Sequence, residues 1–304
     1  MRFSIWPSAN QPWGEVLATA SYAEATGWDG VWIADHFMPD AGGAFPLETP
    51  TLEAGSLVAA LAAAVPRVRI GTLVLGNTYR HPAVVANMAA TIDHVSGGRF
   101  TLGLGTGWQE NEHDAYGIEL PPPRARVDRF EEALQVVHGL LRDERTTFKG
   151  NHYEITDALC EPKPVQEPLP ILVGGGGDRV LAIAARWGDG WNTWGQPDHI
   201  AERSAALTRA CETVGRDPDA IARTGQALVF LSDDGSDPGA TERLVERAPM
   251  PAVGGTVGQL RDVVAAYAEA GLDELVVPDR SLGQGTAKLE RMDRLIEEVA
   301  PAFR

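Results

Sequence analysis

Short runs of continuous apolar residues alternate along the chain with longer amphipathic stretches. Arg2 to Trp6 reads as a first strand, stopped by Pro7. From Trp13 to Thr26, Val16, Ala20 and Ala23 share one helical face with Leu17 beside them, and Gly27 supplies a left-handed stop. Gly30 to Ala34 is apolar throughout, as a strand covered on both faces must be. A Gly/Pro-rich loop from Pro39 to Pro50 leads to an Ala-rich helix from about Leu52 to Ala64, and Val68 to Leu75 reads as a third strand. Pro82 sits where the first turn of a helix tolerates proline, and that helix runs to about Val95 before Gly97 and Gly98.

The stretch from Arg99 to Gly117 organises the rest. It begins as a buried strand in which Phe100, Leu102 and Leu104 alternate with small residues. It then breaks into Gly103, Gly105 and Gly107, where a backbone can approach a ligand closely. It ends in a polar run, Gln109, Glu110, Asn111, Glu112, His113 and Asp114, before a Tyr-Gly stop. Beyond it, Arg124 to Leu141 is an amphipathic helix with Phe130, Leu134, Val137 and Leu141 on one side. Thr146 to Ile155 reads as a small hairpin turning at Lys149-Gly150-Asn151, followed by a Pro-rich link from Pro162 to Pro170. Further strands are expected at Ile171 to Val173, Asp189 to Asn192, Ala227 to Leu231 and Glu274 to Val277. Helices are expected at Asp178 to Trp187, Asp198 to Val214, from a Thr256 cap to Ala270, and at the C-terminus. The acidic, Gly/Pro-rich segment from about Ser232 to Thr256 reads as a lid or a long surface loop.

About eight short apolar strands, most followed by a helix, predict an α/β fold: a (β/α)8 TIM barrel as a single domain over residues 1–304. An open doubly wound sheet shares the alternation, but it would gather its polar and glycine clusters near one switch point. Here they follow strand after strand.

Charge and cysteine content narrow the partners. The 304 residues carry a formal charge of −16, which disfavours nucleic acid and anionic membrane surfaces. Cys160 and Cys211 have neither metal-ligand spacing nor a disulfide framework, and no apolar run of about 20 residues or signal-peptide pattern is visible. These features lead us to expect a cytoplasmic protein that acts on a small molecule without a metal.

Two clusters could carry chemistry. Asp35-His36, at the C-terminal end of the second strand, could orient a cofactor edge and move a proton, or could be a helix cap or a solvated pair. Gly174 to Gly177, followed by Asp178 and Arg179, leave backbone N–H groups free for a phosphate, with Arg179 able to add a charged contact. The alternative is a flexible turn. Neither a Walker loop nor the spaced glycine triplet of a dinucleotide site is present. Trp6, Phe37, Tyr79, Trp108, Trp191 and Trp194 lie at or just past strand ends and could wall a planar cofactor, with core packing the alternative, for Trp191 above all.

Several stretches together resemble the luciferase-like flavin oxidoreductase family, in particular its branch dependent on the deazaflavin coenzyme F420. They are GVWIADHF at Gly30 to Phe37, the long block from Arg69 to Trp108, RVDRFEEAL at Arg126 to Leu134, PILVGGGG at Pro170 to Gly177, and DGWN at Asp189 to Asn192. The resemblance implies a barrel with the cofactor ring across its C-terminal face and a non-proline cis peptide at Leu73-Val74 behind that ring. It implies that Asp35 and His36 lie near the ring as the catalytic pair, with His36 handling the proton. Thr106, Gly107, Trp108 and Asn111 would contact the ring and ribityl chain, and Gly175, Gly176 and Gly177 would take the phosphate. Members that oxidise glucose 6-phosphate carry a glutamate where this chain has Trp108, and an indole there suits an uncharged or aromatic substrate. The implied reaction is hydride transfer between reduced F420 and a small enone, imine or ketone, in a homodimer. The alternatives are an FMN-dependent monooxygenase of the alkanesulfonate or luciferase type, and a non-catalytic flavin-binding barrel.

Overall fold

The structure is a computed structural model that describes residues 1–43, 45–232 and 238–304. The chain begins with β1 (Arg2–Trp6), α1 (Trp13–Thr26), β2 (Gly30–Ile33), α2 (Ala54–Ala64), β3 (Arg69–Thr72), β4 (Leu75–Gly76), α3 (Pro82–Ser96) and β5 (Phe100–Gly105). It continues through α4 (Glu110–Tyr116), α5 (Pro123–Arg142), β6 (Thr146–Lys149), β7 (Glu154–Ala158), β8 (Ile171–Gly174), α6 (Asp178–Trp187), β9 (Gly190–Trp194) and α7 (Pro197–Thr213). Its last part holds β10 (Ala222–Gln226), β11 (Leu228–Leu231), α8 (Pro238–Arg247), β12 (Ala252–Gly255), α9 (Val257–Glu269), β13 (Glu274–Pro278) and α10 (Gly285–Arg294).

Strands pair in the order β3-β2-β1-β13-β10-β9-β8-β5, all parallel, and the pairing of β3 with β5 closes the ring. This is the expected (β/α)8 barrel. Alternation along the strands divides the core in two. Outward residues such as Phe3, Ile5, Val31, Ile33, Ile70, Phe100, Leu102, Ile171 and Val277 pack beneath the helices. Inward residues Trp32, Leu73, Leu172 and Val276 form a separate cluster, with Trp6 and Val74 against it. The N-terminal end of the barrel is closed by a polar plug. The fully buried Glu274 carboxylate accepts Ser4 Oγ at 2.6 Å, Trp32 Nε1 at 2.8 Å and Arg69 Nη2 at 2.7 Å, with Arg2 Nε at 3.4 Å. Burial opposes its ionisation, but Arg69 and Arg2 outweigh burial and hold the carboxyl below the usual range.

Three expectations need correction. The seventh barrel strand is Ala222–Gln226, not the apolar run from Ala227; Leu228–Leu231 instead pairs with Ala252–Gly255 in a small side sheet. Thr224 and Gln226 face the barrel interior, so this strand lacks the apolar signature by which its neighbours are read. Within the segment read as a lid or loop, residues 238–247 are helical and 252–255 are a strand; residues 233–237 lie outside the described residues. The third strand is broken in two by a cis peptide at Leu73-Val74, where the resemblance places it. Among the described residues, no helix is long and apolar enough to cross a membrane.

Candidate active site

The C-terminal ends of the strands carry the polar groups. Asp35 and His36 follow β2 directly but point to different partners. Asp35 is buried, and its carboxylate accepts the Gly76 N–H at 2.9 Å and both Arg80 amino groups, at 2.6 and 2.9 Å. Arg80 also pairs with Glu53, whose carboxylate caps α2 through the Gly55 and Ser56 amides at 3.0 and 2.7 Å. Burial opposes charge on Glu53, yet the helix amides and Arg80 outweigh it and bring its pKa down to about 2. Burial likewise opposes charge on Arg80, and the Asp35 and Glu53 carboxylates outweigh it and push the guanidinium above its ordinary value. Asp35 is therefore tied into a structural ion pair, with both oxygens engaged.

His36 has the geometry of a proton-handling group. Its Nδ1 lies 2.9 Å from Oε1 of Glu112, a carboxylate with no solvent exposure. Glu112 also accepts the Phe37 N–H at 2.7 Å and the Tyr79 hydroxyl. Burial raises the Glu112 pKa, but hydrogen bonds from His36, Tyr79 and Phe37 outweigh burial and hold it below the usual range. Burial, and then the Glu112 carboxylate, push Tyr79 above the usual phenol range, so it remains a donor. An ionised Glu112 only accepts, which fixes the His36 hydrogen on Nδ1 and leaves Nε2 as the free acceptor. The imidazole is 28% exposed and meets Trp108 edge-on at 5.6 Å. No residue described here engages its Nε2.

The glycine-rich turn after β5 is shaped by what surrounds it. A Cβ at Gly105 or Gly174 would come within 2.7 or 2.8 Å of the Val74 methyls, so these glycines make room for Val74 as the floor of the mouth, whereas one at Gly103 would strike the Thr72 carbonyl oxygen at 1.9 Å. Gly107 has φ +79°, and a Cβ there would meet Thr78 Oγ1 at 2.5 Å. Thr78 is held in turn by His113 Nε2 at 2.8 Å, while His113 Nδ1 donates to the Gln109 carbonyl at 2.6 Å. Thr106 is partly buried beside Gly107, and Trp108 is 59% exposed at the rim. Asn111 donates from Nδ2 to the Pro39 carbonyl at 2.9 Å.

After β8, Gly175 adopts φ +129° and donates to the Asn192 carbonyl at 2.9 Å. Among the described residues, the amides of Gly176, Gly177 and the first turn of α6 have no acceptor. A Cβ on Gly176 would lie 3.1 Å from Thr193 Oγ1 and 3.9 Å from His199 Nε2. Trp191 is core, fully buried, and supports the loop from beneath by donating to the Gly175 carbonyl at 2.8 Å. Arg179 turns away from the loop: it pairs with Asp128, and its Nη1 lies 3.5 Å from the Arg124 carbonyl. Trp6 and Trp194 meet at 5.7 Å across the mouth.

These residues fit a flavin-type cofactor. A donor-only cradle that a side chain would fill suits a phosphate. Buried polar atoms without partners, Asn77 Nδ2, Asn111 Oδ1 and Gln226 Oε1, suit a planar ring with polar edges. His36 and the glycine run, at the two ends of this arrangement, stand out in the sequence, whereas Glu112, Arg80, Glu53, Thr193 and His199 beside them do not. Only the polar run after β5 signalled Glu112, without distinguishing it from its neighbours.

Residues 1–243 match the family described as luciferase-like monooxygenase. An F420-dependent glucose-6-phosphate dehydrogenase of Kineococcus radiotolerans is 36% identical over 227 residues, 73% of this chain and 65% of that protein. The match thus spans a little under two thirds of that relative. One of the same name from Beutenbergia cavernae is 31% identical, with 95% and 93% of the two chains covered. A solved F420-dependent secondary alcohol dehydrogenase, in complex with an F420-acetone adduct, superposes with a TM-score of 0.84 at 22% identity over the full length of both chains. The match over most of the chain and the shared barrel place this protein in the luciferase-like monooxygenase family.

Proposed function

We propose that the protein is an F420-dependent oxidoreductase that exchanges a hydride with a small organic substrate of the enone, imine or ketone type, with His36 handling the accompanying proton. The observation that carries this reading is the buried Glu112 carboxylate on His36 Nδ1, with Nε2 left open at the barrel mouth. The names of the relatives support the choice of cofactor. When bound, the deazaflavin supplies the hydride donor or acceptor. His36 Nε2 gives a proton to the substrate heteroatom during reduction and takes it back during oxidation, and the charged imidazole then stays paired with Glu112. Val74 would back the ring, with Thr106, Gly107, Trp108 and Asn111 beside it; the amides of Gly176 and Gly177 with Thr193 would hold the phosphate, while Gly175, whose amide is spent on the Asn192 carbonyl, shapes the turn. Asp35 acts as a positioning residue that fixes the loop after β4 through Arg80 and the Gly76 amide. Trp108 presents an apolar edge to the substrate beside His36.

The reading extends to assembly and place. We infer a single barrel domain that pairs into a homodimer through α2 and α3. Their outward positions Ser56, Ala60, Ala63, Val84, Asn87 and Thr91 carry no charge, on a chain with 42 acidic and 26 basic residues. The buried free thiols of Cys160 and Cys211 are compatible with a cytoplasmic setting. Paired fluorescence titrations with oxidised F420 and FMN test the cofactor. Tight F420 binding with weak FMN binding is expected. The reverse preference, with oxygen uptake on reduced FMN, would overturn the reading. His36→Ala should keep F420 affinity and lose about 10²–10⁴-fold in turnover.

A further inference from the structure

Asn77, Asn111 and Gln226 each leave a buried polar atom without a partner, but they do not lie on one side of the mouth. Asn77 follows β4 and Asn111 lies in α4 after β5, both on the Val74 side. Gln226 ends β10, which stands four strands from β3 in either direction around the ring. It is 5% exposed, and no donor among the described residues reaches its Oε1. One layer deeper the same interior face is satisfied: Asn192 Nδ2 donates to Thr224 Oγ1 at 2.8 Å, and Thr224 Oγ1 to the Trp191 carbonyl at 3.2 Å. Indoles flank the unpaired amide. Gln226 sits in register with Trp194 on β9, and Trp6 ends β1, two strands away on the other side. The two half-buried rings meet at 5.7 Å, tilted by 58°, and so span the strand ends between them. This wall is fixed from behind. Asp279, just past β13, accepts the Ser8 N–H at 3.0 Å and Gln11 Nε2 at 3.2 Å and pairs with Lys288 at 3.4 Å, which holds the loop beyond Trp6. The Gly195 amide donates to the Gln226 carbonyl at 3.2 Å, and the buried Tyr267 hydroxyl to the Gly195 carbonyl at 2.7 Å, which holds the chain beyond Trp194.

We propose that Gln226 is a specificity-determining residue that accepts a hydroxyl or N–H group of the substrate, while Trp6 and Trp194 hold the flat apolar body of that molecule. The inference rests on the hydride-transfer reading above, in which the reacting carbon lies near His36, beyond β2 and three strands from β10. An amide oxygen buried without a partner costs free energy in the unliganded protein, and a donor on the ligand removes that cost. Indole faces add a preference for planar groups. Trp6, Gln226 and Trp194 carry no charge, so this wall selects by shape and by one hydrogen bond. The substrate is then a neutral, flat enone or ketone with a donor group remote from its carbonyl.

Calorimetric titrations test this on the chain saturated with oxidised F420, a form with no hydride to give. The probes are benzylideneacetone, its ortho-, meta- and para-hydroxy forms, and their methyl ethers. At least one hydroxy form should bind about tenfold more tightly than both its methyl ether and the parent enone, the size of one well-made neutral hydrogen bond. Gln226→Met, similar in length but without the amide, should level the series and leave F420 affinity unchanged. Its melting temperature should equal or exceed that of the wild type, because the substitution removes a buried group that has no partner. A wild-type series without the preference, absent binding included, or a preference that survives Gln226→Met, overturns the assignment while the cofactor reading stands. Loss of F420 affinity in Gln226→Met would show that the amide serves the cofactor, which also overturns it. If the wild type does not bind F420, the hydride-transfer reading fails and the inference falls with it.

Discussion

At the scale of single residues, Glu112 decides what His36 can do. A carboxylate without solvent exposure is tolerable only when its charge is met, and here an imidazole, a phenol and an amide meet it. Glu112→Gln keeps the shape but offers His36 either an oxygen or an NH2 group, so the hydrogen is no longer fixed on Nδ1. The expected outcome is a loss of about 10²-fold in kcat, at the low end of what acid–base catalysis contributes, with F420 affinity unchanged. A loss confined to F420 binding would show that Glu112 serves the cofactor instead. The substitution also alters acid stability. A carboxyl held below its unfolded value stabilises the fold above that value, and the contribution disappears as pH falls through the lowered folded value. Denaturant midpoints of wild type and Glu112→Gln should therefore converge on acidification. The sequence disclosed Asp35 and His36 because both directly follow an apolar strand. It did not separate their roles, because Arg80 claims Asp35 from 45 residues away. Six polar residues run from Gln109 to Asp114, and only the docking of α4 selects Gln109, Glu112 and His113 for burial.

Elements show the same division between local and distant causes. Helix α2 has no charged residue of its own, and its start depends on the Glu53 carboxylate accepting two amides and pairing with Arg80. Glu53→Ala should cost about 1 kcal/mol for the lost cap, measured as a shift in the urea midpoint. The Glu53 pKa is depressed to about 2, so its contribution is complete above the unfolded value of 4.5 and lost as pH falls from there toward 2. The wild-type advantage over Glu53→Ala should accordingly be full at pH 6 and mostly gone near pH 2. An advantage that stays constant down to pH 2 would mean that Arg80 and the cap contribute nothing through charge. Helix boundaries governed by such local signals were legible: Pro82 opens α3, and Thr256 forms a capping box with Gln259 at α9. Strand β10 was not, since its inward Thr224 and Gln226 serve the barrel interior and an adjacent apolar run offered a better-looking strand. Burial on both faces makes barrel strands apolar, but a strand that lends polar groups to the interior breaks that rule.

Across the whole molecule the two ends of the barrel have opposite requirements. The C-terminal end leaves buried polar atoms without partners, as a site awaiting a ligand does, while at the N-terminal end the buried Glu274 carboxylate is fully engaged. Eight repeats of strand and helix made the barrel legible, yet nothing local shows that Glu274 would plug it, because its partners come from β1, β2 and β3, more than 200 residues earlier. Conserving function and holding the fold together should then be separable tasks. Glu274→Ala leaves Arg69 without its buried partner and orphans the Ser4 hydroxyl and the Trp32 indole N–H. Breaking such a buried pair costs about 3–5 kcal/mol, and at about 2 °C per kcal/mol the melting temperature should fall by roughly 6–10 °C. The substituted residue lies a full strand length from His36, so kcat and F420 affinity measured well below the new melting temperature should match the wild type. If Glu274→Ala instead lowered kcat while leaving the melting temperature in place, the plug would be coupled to the chemistry, and the division of the barrel into a reacting end and a supporting end would fail.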